Sequence, residues 1–189
     1  GAVSGSIGQT EGTLYFEIDV QKTATATRNV VEVTDGTSSN RFFARLYDDS
    51  GTQRLEVALI SSGGFAARYQ NLAMPAGIYK VAFGYALNNF ACFVNGIQNG
   101  STDTSGNCSA SYSTINLGSA AGNVSFFNDR IRAAALYTTR LTNADLMLLT
   151  LPGNNTYLPQ AIWDNYLSRT GNAEVPDCLY TRHADLLDV

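Results

Sequence analysis

Leu14-Tyr15-Phe16-Glu17-Ile18-Asp19-Val20 is apolar at every second position. Successive side chains of a β-strand point to opposite faces, so Leu14, Phe16, Ile18 and Val20 enter a core while Glu17 and Asp19 look outward. Similar short runs follow at Val30 to Val33, Arg41 to Tyr47 and Arg54 to Ile60, the last with Leu55, Val57 and Leu59 on one face. A weaker run spans Phe65 to Tyr69. Tyr79 to Phe83 and Phe90 to Val94 read as a hairpin joined through Asn88-Asn89, since asparagine tolerates the left-handed backbone of a tight turn. Asn95-Gly96 forms a second turn at once. Thr114 to Leu117 and Arg130 to Tyr137 complete the set, with Ile131, Ala133, Ala135 and Tyr137 expected on one side. Many short strands, frequent turn signals and no βαβ rhythm predict an all-β chain folded as an antiparallel β-sandwich.

The period becomes helical only near the end. Thr142 is a candidate N-cap with Asp145 three residues on, and Leu141 and Leu146 can close a hydrophobic staple across the cap. The spacing predicts a short capped helix over 142–149, stopped before Pro152-Gly153. Beyond it, Pro159 can open a second short helix that gathers Ile162, Trp163, Tyr166 and Leu167 on one face. Two units are therefore expected: a sandwich over 1–150 and a partly helical extension over 151–189. The extension packs on the sandwich or on a neighbouring chain, with Ile162, Trp163, Tyr166 and Leu167 as a partner-docking face.

Of the 189 residues 44% are hydrophobic and 15% charged, the balance of a folded domain. A net charge of -4 without a Lys/Arg cluster argues against nucleic acid or an anionic membrane as partner. No apolar run approaches the roughly 20 residues that span a bilayer. Three cysteines, Cys92, Cys108 and Cys178, cannot all pair within the chain and read as buried thiols. The chain begins at Gly1 rather than at a methionine, which suggests a fragment or a processed product.

Four segments carry a resemblance: Ile7-Gly8-Gln9-Thr10-Glu11-Gly12-Thr13-Leu14-Tyr15-Phe16-Glu17, Phe90-Ala91-Cys92-Phe93-Val94-Asn95-Gly96, Thr102-Asp103-Thr104-Ser105-Gly106 and Tyr137 through Leu146. In this order they resemble the concanavalin A-like, laminin-G-like jelly-roll domains of bacteriophage tail fibres and other virion proteins. The resemblance covers about Ser6 to Thr150. It implies a virion structural or attachment module in a tail fibre, tail appendage or capsid decoration. Such a module sits on the virion surface after assembly in the host cytoplasm, beside other virion proteins, as a homo-oligomer or repeated on the particle, and host-surface glycan is its candidate ligand. The fold also hosts enzymes and purely structural modules, so function has to be argued from the site.

For carbohydrate binding the informative strand is the one from Arg41 to Tyr47. With Phe42, Ala44 and Leu46 inward, Arg41, Phe43, Arg45 and Tyr47 form an outward stripe of rings and planar cations, which Tyr69 on a neighbouring strand would extend. Aromatic faces pack on sugar C–H surfaces and guanidinium groups bridge hydroxyls or carboxylates. The competing explanation is cross-strand ion pairing with residues such as Glu56. The enzymatic alternative is a polysaccharide-degrading glycosidase or lyase using Glu17 and Asp19, about 6.6 Å apart along one strand face. A glucanase motif of this fold has a third acid, where this chain has Gln21 and Lys22. No enzyme is therefore expected. His183 beside Asp185 is the single histidine, which leaves no multi-histidine metal site. No cofactor is required; calcium on rim loops is a further candidate, through Asp35, Asp48, Asp49, Asp103 and Asp129.

Overall fold

The computed structural model describes residues 4–21, 25–108 and 111–153. Among the described residues a 3-10 turn at Ser4–Ser6 is followed by ten strands and one α-helix: β1 (Gly12–Val20), β2 (Arg28–Thr34), β3 (Arg41–Asp49), β4 (Thr52–Ser61), β5 (Gly64–Ala73), β6 (Gly77–Ala86), β7 (Asn89–Val94), β8 (Ile97–Gln98), β9 (Thr114–Leu117), β10 (Arg130–Tyr137) and α1 (Asn143–Thr150). They build two five-stranded antiparallel sheets, β10-β1-β6-β7-β8 (sheet A) and β5-β4-β3-β2-β9 (sheet B). The alternation read in β1 and β4 holds: Leu14, Phe16, Ile18, Leu55, Val57 and Leu59 are buried in the core between the sheets.

That core is rich in rings. Phe42 packs on Tyr85 at 4.9 Å and edge-on against Tyr112 at 5.1 Å. The Tyr85 hydroxyl donates to the carbonyl of Gly8 at 2.8 Å, whereas that of Tyr112 is buried with no hydrogen-bond partner among the described residues. Opposite outcomes are expected from removing the two hydroxyls. Tyr85→Phe leaves a buried carbonyl unpaired and costs about 1–2 kcal/mol, while Tyr112→Phe is neutral or stabilising by up to about 1 kcal/mol. Denaturant titration of both variants reads the difference directly.

Helix α1 packs on the outer face of sheet A, where Ala82, Ala91 and Phe93 meet Leu141, Leu146 and Leu149. Gly84 eases the close approach: a Cβ there would lie 3.0 Å from Leu146 Cδ1, and that side chain would have to give by a few tenths of an ångström. The capping box is formed as read: Thr142 Oγ1 accepts from Asp145 N at 3.1 Å, and the Asp145 carboxylate accepts from Thr142 N at 3.3 Å. The helix runs one residue further than expected, to Thr150, whose hydroxyl accepts from Gly96 N at 3.1 Å and donates to Leu146 O.

Three expectations need correction. Asn89 already pairs with Ala86, so the tight turn between β6 and β7 is Leu87-Asn88, with Asn88 at φ 53°. The weak run at Phe65 to Tyr69 is part of a ten-residue edge strand, β5. In β10, Ile131 and Tyr137 do not share a face. Glu17 pairs with Ala133 and Ile18 with Ile131, so Arg132 is an extra, bulged residue that reverses parity beyond it. Ile131 and Leu136 therefore pack on the inner core, and Tyr137 packs under the helix.

Candidate functional site

The outward stripe of β3 exists, but its chemistry differs from the expectation. Phe43 is only 2% exposed, because the guanidinium groups of Arg41 and Arg45 lie over its ring at 5.0 and 4.9 Å. Those arginines are held in turn by two carboxylates whose side chains are almost fully buried. Glu32 accepts from Arg41 at 2.8 Å and from Ala121 N at 2.8 Å. Glu56 accepts from Arg45 Nε at 2.5 Å through one oxygen and from Arg68 Nε at 2.6 Å through the other. Cross-strand pairing dictates this lattice, since Arg45 lies opposite Glu56 and Ala58 opposite Arg68. Tyr47 is half-buried on the same strand, opposite Arg54.

Tyr69 does not extend the stripe. Irregular pairing between β4 and β5 turns its ring inward, where it meets Phe83 edge-on at 6.1 Å and its hydroxyl donates to Phe90 O at 2.7 Å. Burial pushes its pKa up to about 12. The exposed ring on this side is instead Phe65, 53% accessible, with the Arg68 guanidinium stacked on it at 4.6 Å.

Arg68 also lines an open pocket of about 410 Å³ formed with Tyr69 and the loop 100–104. The loop is anchored at several points. Asp103 and Phe90 exchange two backbone hydrogen bonds of 2.9 Å, and Thr102 Oγ1 accepts from Gln98 at 3.1 Å and from Asn143 at 3.0 Å. Asp103 Oδ1 is occupied by Ser105 N and Oγ, both at 2.9 Å, which leaves Oδ2 as an acceptor. Ser101 and Thr104 add hydroxyls. The lining thus combines a cation at Arg68, a carboxylate at Asp103 and the hydroxyls of Ser101, Thr102 and Thr104, while the ring of Phe65, outside that lining, stacks on the Arg68 guanidinium. Sugars, with hydroxyls that donate and accept around a C–H face, match that set.

The other candidates are dispersed. Glu17 and Asp19 lie on the outer face of sheet A, Glu17 3.1 Å from Arg132 and Asp19 3.8 Å from Arg130. Asp129 is buried in an ion pair with Arg28, and Asp49 pairs with Arg54. Asp35 caps its own turn through Thr37 and Asn40, hydrogen bonds that lower its pKa, and Asp48 accepts from Gly51 N at 3.3 Å. Among the described residues no three acidic, cysteine or histidine side chains gather as a metal site. Ile162, Trp163, Tyr166, Leu167, His183, Asp185 and Cys178 lie outside the described residues.

Residues 3–147 match the family model of the concanavalin A-like lectin/glucanases superfamily. The chain belongs to that superfamily. No curated protein matches the chain. Among solved structures, the concanavalin A-like fold seen here is similar to the CBM40 of the Ruminococcus gnavus IT-sialidase bound to α2,3-sialyllactose, with 17% identity, TM-score 0.61, and 77% of this chain and 84% of that one covered. It is also similar to the native heptameric SAP-like pentraxin of Limulus polyphemus, at 14% identity, TM-score 0.56, covering 74% and 69%. A third is the enzymatically active domain of tailspike protein 2 of bacteriophage CBA120, at 17% identity and TM-score 0.55, covering 75% of this chain and 24% of that one. At these identities the likeness shows the concanavalin A-like architecture alone.

Sequence reasoning reached Arg41, Phe43 and Arg45, and named Glu56 as their competing partner. It did not name Phe65 or Arg68 for sugar, and it singled out the loop at Thr102-Asp103-Thr104 only within the resemblance and, through Asp103, for calcium. The local signal was an aromatic three residues before an arginine on an edge strand; its meeting with a loop some 35 residues away had none.

Proposed function

We propose that this concanavalin A-like domain is a non-enzymatic glycan-binding module that serves as an attachment element of a bacteriophage particle. The observation that carries the reading is Arg68, which lines a hydroxyl-rich pocket and also stacks on the exposed ring of Phe65. Its Nε is held by the buried Glu56, so the side chain is ordered before any ligand arrives and its terminal nitrogens keep their donors. A site this open binds a single glycan weakly and gains by repetition on a particle. The fold-level likeness to a glycan-bound CBM40 and to a phage tailspike domain supports the ligand class and the setting. A virion-surface location beside other virion proteins, in several copies, follows from that setting.

Arg68→Ala is expected to lower retention on immobilised glycans about 10- to 100-fold, the worth of one charged hydrogen-bonding group. Glu17→Gln is expected to leave retention unchanged. The competing class, a polysaccharide-degrading enzyme using Glu17 and Asp19, demands the reverse: bond cleavage by the parent chain that disappears in Glu17→Gln. A third class, a structural decoration, demands no retention at all and a fixed lattice position in images of the particle.

A further inference from the structure

The ion pairs on the outer face of sheet B do not balance. Arg41 is matched by Glu32 and Arg54 by Asp49, one charge against one. Arg45 and Arg68 share a single carboxylate, that of Glu56, each through Nε and each on a different oxygen. One positive charge is left over at that point. The anion lies underneath, its side chain 1% exposed, while the two arginine side chains are 32% and 39% exposed, so solvent meets the cations. Each guanidinium also rests on a ring, Arg45 on Phe43 at 4.9 Å and Arg68 on Phe65 at 4.6 Å. Tied to the carboxylate through Nε and to a ring through its face, neither group can swing away from the other. Among the described residues, the terminal nitrogens of both take no acceptor.

We infer that this pair of arginines reads a carboxylate on the glycan, so that the ligand held at the β5 edge is an acidic sugar; the inference rests on the glycan-binding reading and names its ligand class. A carboxylate is planar and accepts through two oxygens, which suits N–H groups offered by two guanidiniums fixed one carboxylate apart. Its charge completes the balance that Glu56 leaves unfinished and relieves the repulsion between the cations. A neutral hydroxyl does neither. The pocket's own carboxylate stands elsewhere. Asp103 belongs to the loop along the free edge of β5, where Gly106 packs against the carbonyl of Ala66, whereas Arg45 and Glu56 lie further in, on β3 and β4. Arg68 is between them, so the acid group goes to the sheet side of its guanidinium and the hydroxyls of the sugar go to the loop.

The test passes the full chain over immobilised oligouronates and over the same oligosaccharides with their carboxylates reduced to primary alcohols. The parent is expected to retain the acid form about 10-fold more strongly, the worth of one charge-assisted contact, and to lose that margin as salt is raised. Arg45→Gln should bring the ratio of the two forms close to one. Arg54→Gln removes a cation of the same face whose charge is already matched, and should leave the ratio at the parent's value. Should the glutamine variant melt too early to assay, Arg45→Lys keeps Glu56 paired and should still lower the ratio, because an ammonium lacks the planar fork. Equal retention of both forms by the parent, or an unchanged ratio in the Arg45 variants, overturns the inference and leaves the glycan-binding reading standing. Retention of neither form by the parent removes both.

Discussion

Replacing Arg28 with alanine is expected to remove about 3–5 kcal/mol of folding free energy, because it leaves a carboxylate buried without its counter-charge. Arg28 and Asp129 meet at 2.5 Å with side chains 5% and 2% exposed. The same guanidinium donates to Gln53 Oε1, while Gln53 Nε2 donates to Met74 O at 2.8 Å, and the ring of Phe127 lies 5.7 Å away. One side chain therefore ties the start of β2 to β4 and to the segment leading into β10. For a chain of this size the loss corresponds to a fall in Tm on the order of 10 °C. The double variant Arg28→Met/Asp129→Leu should recover most of it, since exchanging both charges for apolar groups removes the desolvation cost together with the attraction. Thermal melts of the single and double variants check both statements; a single variant as stable as the parent would show that the pair is solvated.

Stability is also expected to collapse in alkali. Tyr69, Tyr85 and Tyr112 are buried, and desolvation raises each phenol above its ordinary value of 10.0. Burial likewise raises Cys92 from 9.0 to about 12 and Cys108 to about 11. In the unfolded chain these groups lose their protons near their ordinary values, while the native chain keeps them. Unfolding then releases protons, and the unfolding free energy falls as pH rises, by up to about 1.4 kcal/mol per pH unit for each group. The contribution is intact below about pH 9 and is lost as pH climbs through the raised native values. Three phenols alone can remove about 4 kcal/mol per unit above pH 10, a large share of a typical domain's stability. Urea melts at pH 8, 10 and 11 should show this fall, with a shallower slope in Tyr69→Phe. A flat profile would mean that the rings are wet.

Which parts of this architecture could be read in advance follows from where the information sits. The faces of β1 and β4 are fixed by their own alternation, because one side is apolar and the other is not. The capping box of α1 is equally local, contained in Thr142 to Asp145. Bulges are not local. Arg132 is extra only relative to β1, and Tyr69 turns inward only through its pairing with β4. Phe43 had the right parity but the wrong accessibility, since Arg41 and Arg45 fold onto its ring once Glu32 and Glu56 draw them across the sheet. The pocket at Arg68 joins two segments with no periodic relation, so only the folded chain displays it.

The account turns on sugar being held at the β5 edge and left intact. Two-dimensional amide NMR during titration with oligosaccharides tests this most directly. The predicted result is that the shifting resonances belong to Phe65, Arg68 and residues 100–104, with the added sugar recovered unchanged. Shifts confined to the face of Glu17 and Asp19, with shorter saccharides appearing in the same tube, would contradict it.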